Sequence, residues 1–272
     1  MFRPLERIPR LTWRAGRASG GDRAVPEETA VAFTYDGGSY AVMMASPGDL
    51  EDFALGFSLT EGIVESPGEI ERLDVVEEEL GIELRMWLAA PKGKRLGERR
   101  RRLAGPTGCG LCGAESLADV FRPLPHLADG RVFTPGEIMR AVESVAPAQV
   151  VNRQTRTVHA AAFWEPERGL VALREDVGRH NALDKLAGAL ARAGTRADRG
   201  MIVLTSRVSI EMVNKAAMIG ASLVAAVSAP TALAVRTAEK AGLTLVAVAR
   251  DDGFEVFAHP YRVALEAAAD VA

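Results

Sequence analysis

The chain has 272 residues, 48% of them hydrophobic and 25% charged, with a formal net charge of −3. That is the composition of an ordinary globular protein, long enough for one large domain or two smaller ones. The charge argues against a general nucleic-acid binder, and no apolar run approaches the ~20 residues that a membrane-spanning helix needs. There are only two cysteines, Cys109 and Cys112, too few for a disulfide framework. This suits a reducing, cytoplasmic setting and reactive thiols.

Residues 1–27 mix prolines, paired glycines and charges, and read as an irregular arm. Residues 30–45 are two β-like runs around Asp36-Gly37-Gly38, a hairpin signal. Ser46-Pro47-Gly48-Asp49 has the form of a helix start, with Ser46 as the capping residue. Leu50, Phe53, Ala54 and Phe57 then repeat at helical spacing, and Gly62 can end that helix. Two further strand candidates flank Gly81. A hairpin, a helix and two strands suggest a small β-grasp-like unit over 28–90.

Residues 91–105 carry seven basic side chains, one acid and three glycines without apolar periodicity. Such a run is usually a solvated linker; it can also place positive charge beside the segment that follows. That segment, GPTGCGLCG at 105–113, holds both cysteines in one C-x-x-C among four glycines. Nearby arginines would favour the thiolate, the reactive form of cysteine. Two thiols so placed suit reaction with a partner or binding of a soft metal.

Residues 115–121 are a possible short helix. Thr134-Pro135-Gly136-Glu137 is a capping box that opens another, with Ile138, Val142 and Val145 on its apolar side. TVHAAAFW (157–164) and GLVALR (169–174) read as strands, and Leu183, Leu186, Ala187 and Leu190 mark an amphipathic helix ending near Gly194. Strands at 201–205, 222–227 and 243–249 then alternate with helices capped at Ser209 and Thr231, and a short strand follows at 254–258. The alternation predicts an α/β fold with a largely parallel sheet. The segments after its strands would share the edge where ligands bind, with helix N-termini offering N–H groups to phosphate. Neither a P-loop nor a Rossmann glycine fingerprint is present.

EDVGRHNALDK at 175–185 packs acids, Arg179, His180, Asn181 and Lys185 into one strand-to-helix junction. Helix capping by Asp176 or Asn181 with surface ion pairs explains much of it; the density of residue types raises a functional reading. His180 is the better histidine for chemistry, whereas His159 reads as a core histidine and His126 and His259 as incidental.

GCGLCG, TVHAAAFW, EDVGRHNALDK, SRVSIEMVNKAAMIGA, AVSAPTALAVRTAEKAGLTLV and VFAHPYR, in that order, resemble the FdhD/NarQ family of formate dehydrogenase accessory sulfurtransferases. The resemblance runs over about 28–265. It implies a cytidine-deaminase-like α/β domain at 114–272, joined by a linker and cysteine loop at 91–113 to the smaller domain. It implies a persulfide carrier that takes sulfur from a cysteine desulfurase and passes it to the molybdenum cofactor of formate dehydrogenase. That cofactor, Mo-bis(molybdopterin guanine dinucleotide), would be a bound substrate, with no permanent metal. Cys109 falls on the persulfide cysteine, Cys112 is its companion, and Val248, Ala249, Arg250, Asp251, Asp252 and Gly253 fall on the cofactor-binding segment. Asp251 and Asp252 depart from the family's basic pattern there and would repel phosphate, so backbone contacts would have to dominate. The resemblance also implies nucleotide binding and a homodimer.

Two other classes are weighed against this. A zinc deaminase would need H-x-E ahead of its cysteine pair, and no histidine precedes Cys109. A non-catalytic chaperone holding cofactor for apo-formate dehydrogenase would use its cysteines only structurally. A thioredoxin-like oxidoreductase fits less well, since the C-x-x-C does not follow the first strand of a βαβ unit.

Overall fold

The computed structural model describes residues 3–89, 123–127 and 130–265. The basic run, the C-x-x-C and the expected helix at 115–121 lie outside the described residues.

The amino-terminal arm differs from expectation. β1 (Leu5–Arg14) and β2 (Arg17–Pro26) form an antiparallel ribbon closed by Ala15-Gly16. Both turn residues have positive φ, 47° and 79°, the geometry of a tight hairpin turn. Pro9 and Gly20-Gly21 read as breakers in the sequence. They are tolerated because a two-stranded ribbon consists entirely of edges.

β3 (Thr29–Tyr35) and β4 (Gly38–Ala45) form the expected hairpin, with Asp36 and Gly37 at positive φ. α1 (Leu50–Thr60) follows. Its N-cap is Asp49 rather than Ser46, because Ser46 is bonded into another part of the chain. β5 (Ile70–Glu78) and β6 (Gly81–Leu88) complete a four-stranded sheet in the order β4-β3-β6-β5. Gly81 lies so close to β3 that a Cβ there would sit 2.3 Å from the Ala30 carbonyl oxygen. Phe33, Tyr35, Leu84 and Met86 from the sheet enclose a core with Phe53 and Phe57 of α1.

α2 (Pro135–Ala148) begins at the predicted capping box. Thr134 Oγ1 accepts from the Glu137 amide, and the Glu137 carboxylate accepts from the Thr134 amide. α3 (Val150–Thr155), β7 (His159–Glu165), β8 (Gly169–Asp176) and α4 (Arg179–Arg192) follow. The chain then alternates through β9 (Met201–Leu204), α5 (Ile210–Ile219), β10 (Leu223–Ala226), α6 (Ala232–Ala241), β11 (Thr244–Arg250) and β12 (Gly253–Ala258).

The second sheet runs β12-β11-β10-β9-β7-β8. Only β9, β10 and β11 are mutually parallel; β7, β8 and β12 each pair antiparallel. The sheet is therefore mixed rather than largely parallel. The β7–β8 and β11–β12 connections are short hairpins, which can join only antiparallel neighbours. Alternate residues point to opposite faces. Ile202, Leu204, Val224, Ala226 and Leu245 pack under the α4–α6 side, and Met201, Val203, Leu223, Ala225 and Val246 pack with Ile138 and Val145 of α2.

α1 joins the two sheets. One side lies on the small sheet, and the other meets α4 with almost no side chain between them. A Cβ on Gly56 would sit 1.7 Å from the Asp184 carbonyl oxygen, and one on Gly188 would sit 1.9 Å from that of Asp52. Around this contact the Asp52 carboxylate accepts from Arg174 at 2.6 Å and Arg192 at 3.0 Å. The Asp184 carboxylate accepts from Thr60 Oγ1 at 2.5 Å and Lys215 Nζ at 2.9 Å, and Lys215 also reaches Glu61 at 2.8 Å.

Gly188→Ala is expected to force α1 and α4 apart and to cost about 3 kcal/mol, as overpacking of a close contact does. Urea denaturation measures it, and a change below about 0.5 kcal/mol would contradict the close helix contact. Lys215→Met should cost about 3–5 kcal/mol at neutral pH by leaving the buried Asp184 charge alone. Burial already raises the Asp184 carboxyl. The deficit of that variant should therefore shrink as the pH is lowered and Asp184 takes up a proton.

Candidate functional site at the carboxyl edge of the large sheet

Because β9, β10 and β11 are parallel, their carboxyl ends share one edge. β7 runs the other way, so its first residue, His159, comes to the same edge opposite Asp176 at the end of β8. Backbone bonds stitch the loops there. Thr205 N–H donates to Ala160 O, Thr231 N–H to Val208 O, and Val248 N–H to Ser228 O. α4, α5 and α6 all start here, so three helix N-termini face one rim. Thr231 caps α6 by accepting from the Ala234 amide. Ser209 occupies the N-cap position of α5, but its hydroxyl makes no capping bond.

The structure divides the 175–185 cluster into two jobs. Glu175 accepts from the Val151 and Asn152 amides at 2.8 Å and so holds the start of α3. Asp176 accepts from the Ser46 and Gly178 amides, Asn181 Nδ2 and Lys185 Nζ, the last at 2.6 Å. Asn181 also donates to Met44 O, and Lys185 to Ser46 O. Asp176, Asp184 and Lys185 are fully buried. The ion pairs expected at the surface are thus inside, tying the two sheets together. They are poor candidates for chemistry, because every charge has its partner already.

Arg179 and His180 are left for the rim. His180 Nε2 lies 3.9 Å from Glu211 Oε2, in the first turn of α5. Burial opposes ionisation of Glu211, but the His180 ring, the Ser209 hydroxyl and a backbone amide outweigh it and hold the carboxyl down at about 2. His159 is half-buried rather than a core residue. Its pKa is lowered by burial first and by the Arg179 charge second. In the sequence Ser209 reads as a helix cap at an N-terminus that can offer N–H groups to phosphate, and Glu211 carries no signal of its own. An acid in a first turn looks like a helix-dipole partner until a histidine from another helix is seen beside it.

Val248 to Gly253 sit on the same edge, three strands from β7 and so about 14 Å along it. Val248 has φ 54° within an interruption of the β11–β12 register. A β-branched residue in the left-handed region is a true outlier, and bulges of this kind recur next to functional sites. Arg250, Asp251 and Asp252 form the exposed hairpin tip. Cys109 and Cys112 lie outside the described residues. Among the described residues no group of three or more His, Cys, Asp or Glu side chains is placed to hold a metal, and no helix is long and apolar enough to cross a membrane. His259 Nε2 donates to the Glu239 carbonyl, and the buried Arg262 donates to Gly242 O, both fastening the end of α6.

Fold and rim together describe a mixed α/β protein in which polar side chains from two helix starts meet at the carboxyl edge of one sheet. Residues 26–264 match the model of the FdhD/NarQ family, and the chain belongs to that family. It is 51% identical over 260 residues to a sulfur carrier protein FdhD of Agrobacterium fabrum, covering 95% of this chain and 96% of that one. It is 54% identical over 253 residues to the protein of the same description from Brucella abortus, covering 92% and 94%. A crystal structure described as a formate dehydrogenase accessory protein from Desulfotalea psychrophila superposes with a TM-score of 0.75. It spans 96% of this chain and all of that one at 24% identity, which establishes the shared fold.

The Glu211 carboxyl sits far below its ordinary 4.5, so it stabilises the fold above that pH and loses its contribution as pH falls towards 2. Glu211→Gln should therefore be less stable than the unaltered chain at neutral pH, with the gap closing below pH 4.5. Thermal midpoints across that range check it; a gap that is constant with pH would count against an ionised Glu211.

Proposed function

We propose that the chain is a sulfurtransferase that carries persulfide sulfur on Cys109, from a cysteine desulfurase to the molybdenum cofactor required by formate dehydrogenase. The observation that carries the reading is family membership across 26–264 in a chain whose only two cysteines form one C-x-x-C. Near-complete coverage of relatives described as sulfur carriers supports it.

In this reading the Cys109 thiolate attacks the outer sulfur of the donor persulfide. The new S–S bond forms as the donor S–S bond breaks, and the donor leaves as a thiolate, so no external oxidant or reductant is required. Cys112 receives or releases the same sulfur in a second exchange. Mo-bis(molybdopterin guanine dinucleotide) is the acceptor and a bound substrate. It is held at Val248 to Gly253, where the exposed Asp251 and Asp252 leave binding to the backbone of the bulge and to Arg250. The large sheet with α2 and α4–α6 corresponds to a cytidine-deaminase-like domain and the small sheet with α1 to a β-grasp-like one. A homodimer completes the reading.

Intact-protein mass spectrometry after incubation with a cysteine desulfurase and cysteine tests it. A reductant-labile gain of about 32 Da, one sulfur, is expected on the unaltered chain and on Cys112→Ala but not on Cys109→Ala. No gain on any form, with an active desulfurase, would favour a non-catalytic chaperone that holds cofactor for the apoenzyme.

A further inference from the structure

The first turns of α4 and α5 meet at the rim, and both carry buried polar atoms that lack a partner at full hydrogen-bond distance, His180 and Ser209 acting on Glu211 only from further away. Arg179 Nε, His180 Nε2, Ser209 Oγ and Glu211 Oε2 are buried, and none has a hydrogen-bond partner among the described residues. His180 is only 9% exposed. At 3.9 Å its ring and Glu211 are close enough to interact but too far apart to bond directly. Unpaired buried polar atoms are costly and scarce in folded proteins. Gathered beneath two helix N-termini, they mark a place prepared for another group.

The charges narrow what that group is. Arg179 contributes one positive charge, and Glu211, held down at about 2, contributes one negative charge. A phosphate dianion would meet the Glu211 carboxylate. A group that carries at most one negative charge suits a nearly balanced site, and a thiol or persulfide is such a group.

We infer that Arg179, His180, Ser209 and Glu211 form a site for a sulfhydryl or persulfide group, in which His180 exchanges the sulfur's proton. The inference rests on the sulfur-transfer reading above. In the step, the S–H bond breaks and its electron pair stays on sulfur. The proton passes to the His180 ring, and Glu211 balances the imidazolium. Arg179, the Ser209 hydroxyl and the helix N-termini face the sulfur anion. The other charged or titratable groups around the ring are His159 on β7 and Asp176 at the end of β8. Asp176 is bound to Lys185, and the Asp184–Lys215 pair lies one turn further into α4 and α5. Neither pair has a free proton acceptor, which leaves His159, held towards its neutral form, as the other imidazole at the rim; His159→Gln should keep the pH dependence if His180 is the group that takes the proton.

The test is the single-turnover rate of sulfur transfer from a purified, persulfide-loaded cysteine desulfurase to the full chain, followed as the mass gain against pH. His180→Gln should slow transfer roughly 100-fold and flatten its pH dependence, the scale of losing one general acid–base group. Glu211→Gln and Arg179→Gln should slow it roughly 10-fold while leaving a pH-dependent profile. Thermal midpoints of all three guard against misfolding, and if His180→Gln does not fold, the Glu211→Gln and Arg179→Gln profiles decide. Variant rates within twofold of the unaltered chain, with its pH profile intact, would overturn the inference while leaving the carrier reading standing. No mass gain on the unaltered chain would overturn both. Stabilisation by inorganic phosphate that Arg179→Gln abolishes, with transfer unchanged, would assign the site to an oxyanion instead and also overturn it.

Discussion

The architecture depends on α1 lying against α4 at backbone distance. Gly56 and Gly188 leave no room for a Cβ at that crossing. Close approach buries the carboxylates of Asp52 and Asp184 at the seam, where each is met by a fixed cation. Arg174 and Arg192 serve the first, and Lys215 with Thr60 serves the second. A third set, Asp176 with Lys185 and the Ser46 backbone, closes the end nearest the rim. The two sheets are therefore joined by glycine contact and paired charge more than by apolar side chains. Such a seam specifies one relative placement, because sliding by one turn would separate every pair at once.

That seam also determines what the rim contains. Asp176 at the end of β8 and Asn181, Asp184 and Lys185 of α4 point into the interface and are fully engaged there. Arg179 and His180, at the start of α4, escape it, and His180 faces the start of α5. A single eleven-residue stretch thus ties the two sheets together through both its ends and brings Arg179 and His180 from its middle to the rim. The bulge at Val248 lies along the same edge, tied to the intervening loops through Ser228 and Val208.

Much of this was visible in the residues. The Asp36-Gly37 turn, the capping box at Thr134 and the alternation from Met201 to Ala258 are local signals, set by turn φ, N-cap hydrogen bonding and side-chain period, and they fold as read. The glycine-rich C-x-x-C and the ordered motifs of the second half pointed to the family. Local signals failed where a distant partner took over. Ser46 looks like an N-cap, but Asp176, 130 residues away, binds its amide. The arm looks irregular because Pro9 and Gly20-Gly21 break a strand only when it is central, and here both strands are edges.

By itself the sequence determined the α/β class, most element positions, the family and the paired thiols, since these follow from short-range patterning and residue type. Only the tertiary structure decided that the sheet is mixed, that the 175–185 charges are mostly buried structural pairs, and that His180 meets Glu211. Those outcomes depend on which strands pair and which helix faces touch. Residues 31 positions apart in the chain acquire a shared environment only when β7 runs against β9 and α4 lies beside α5.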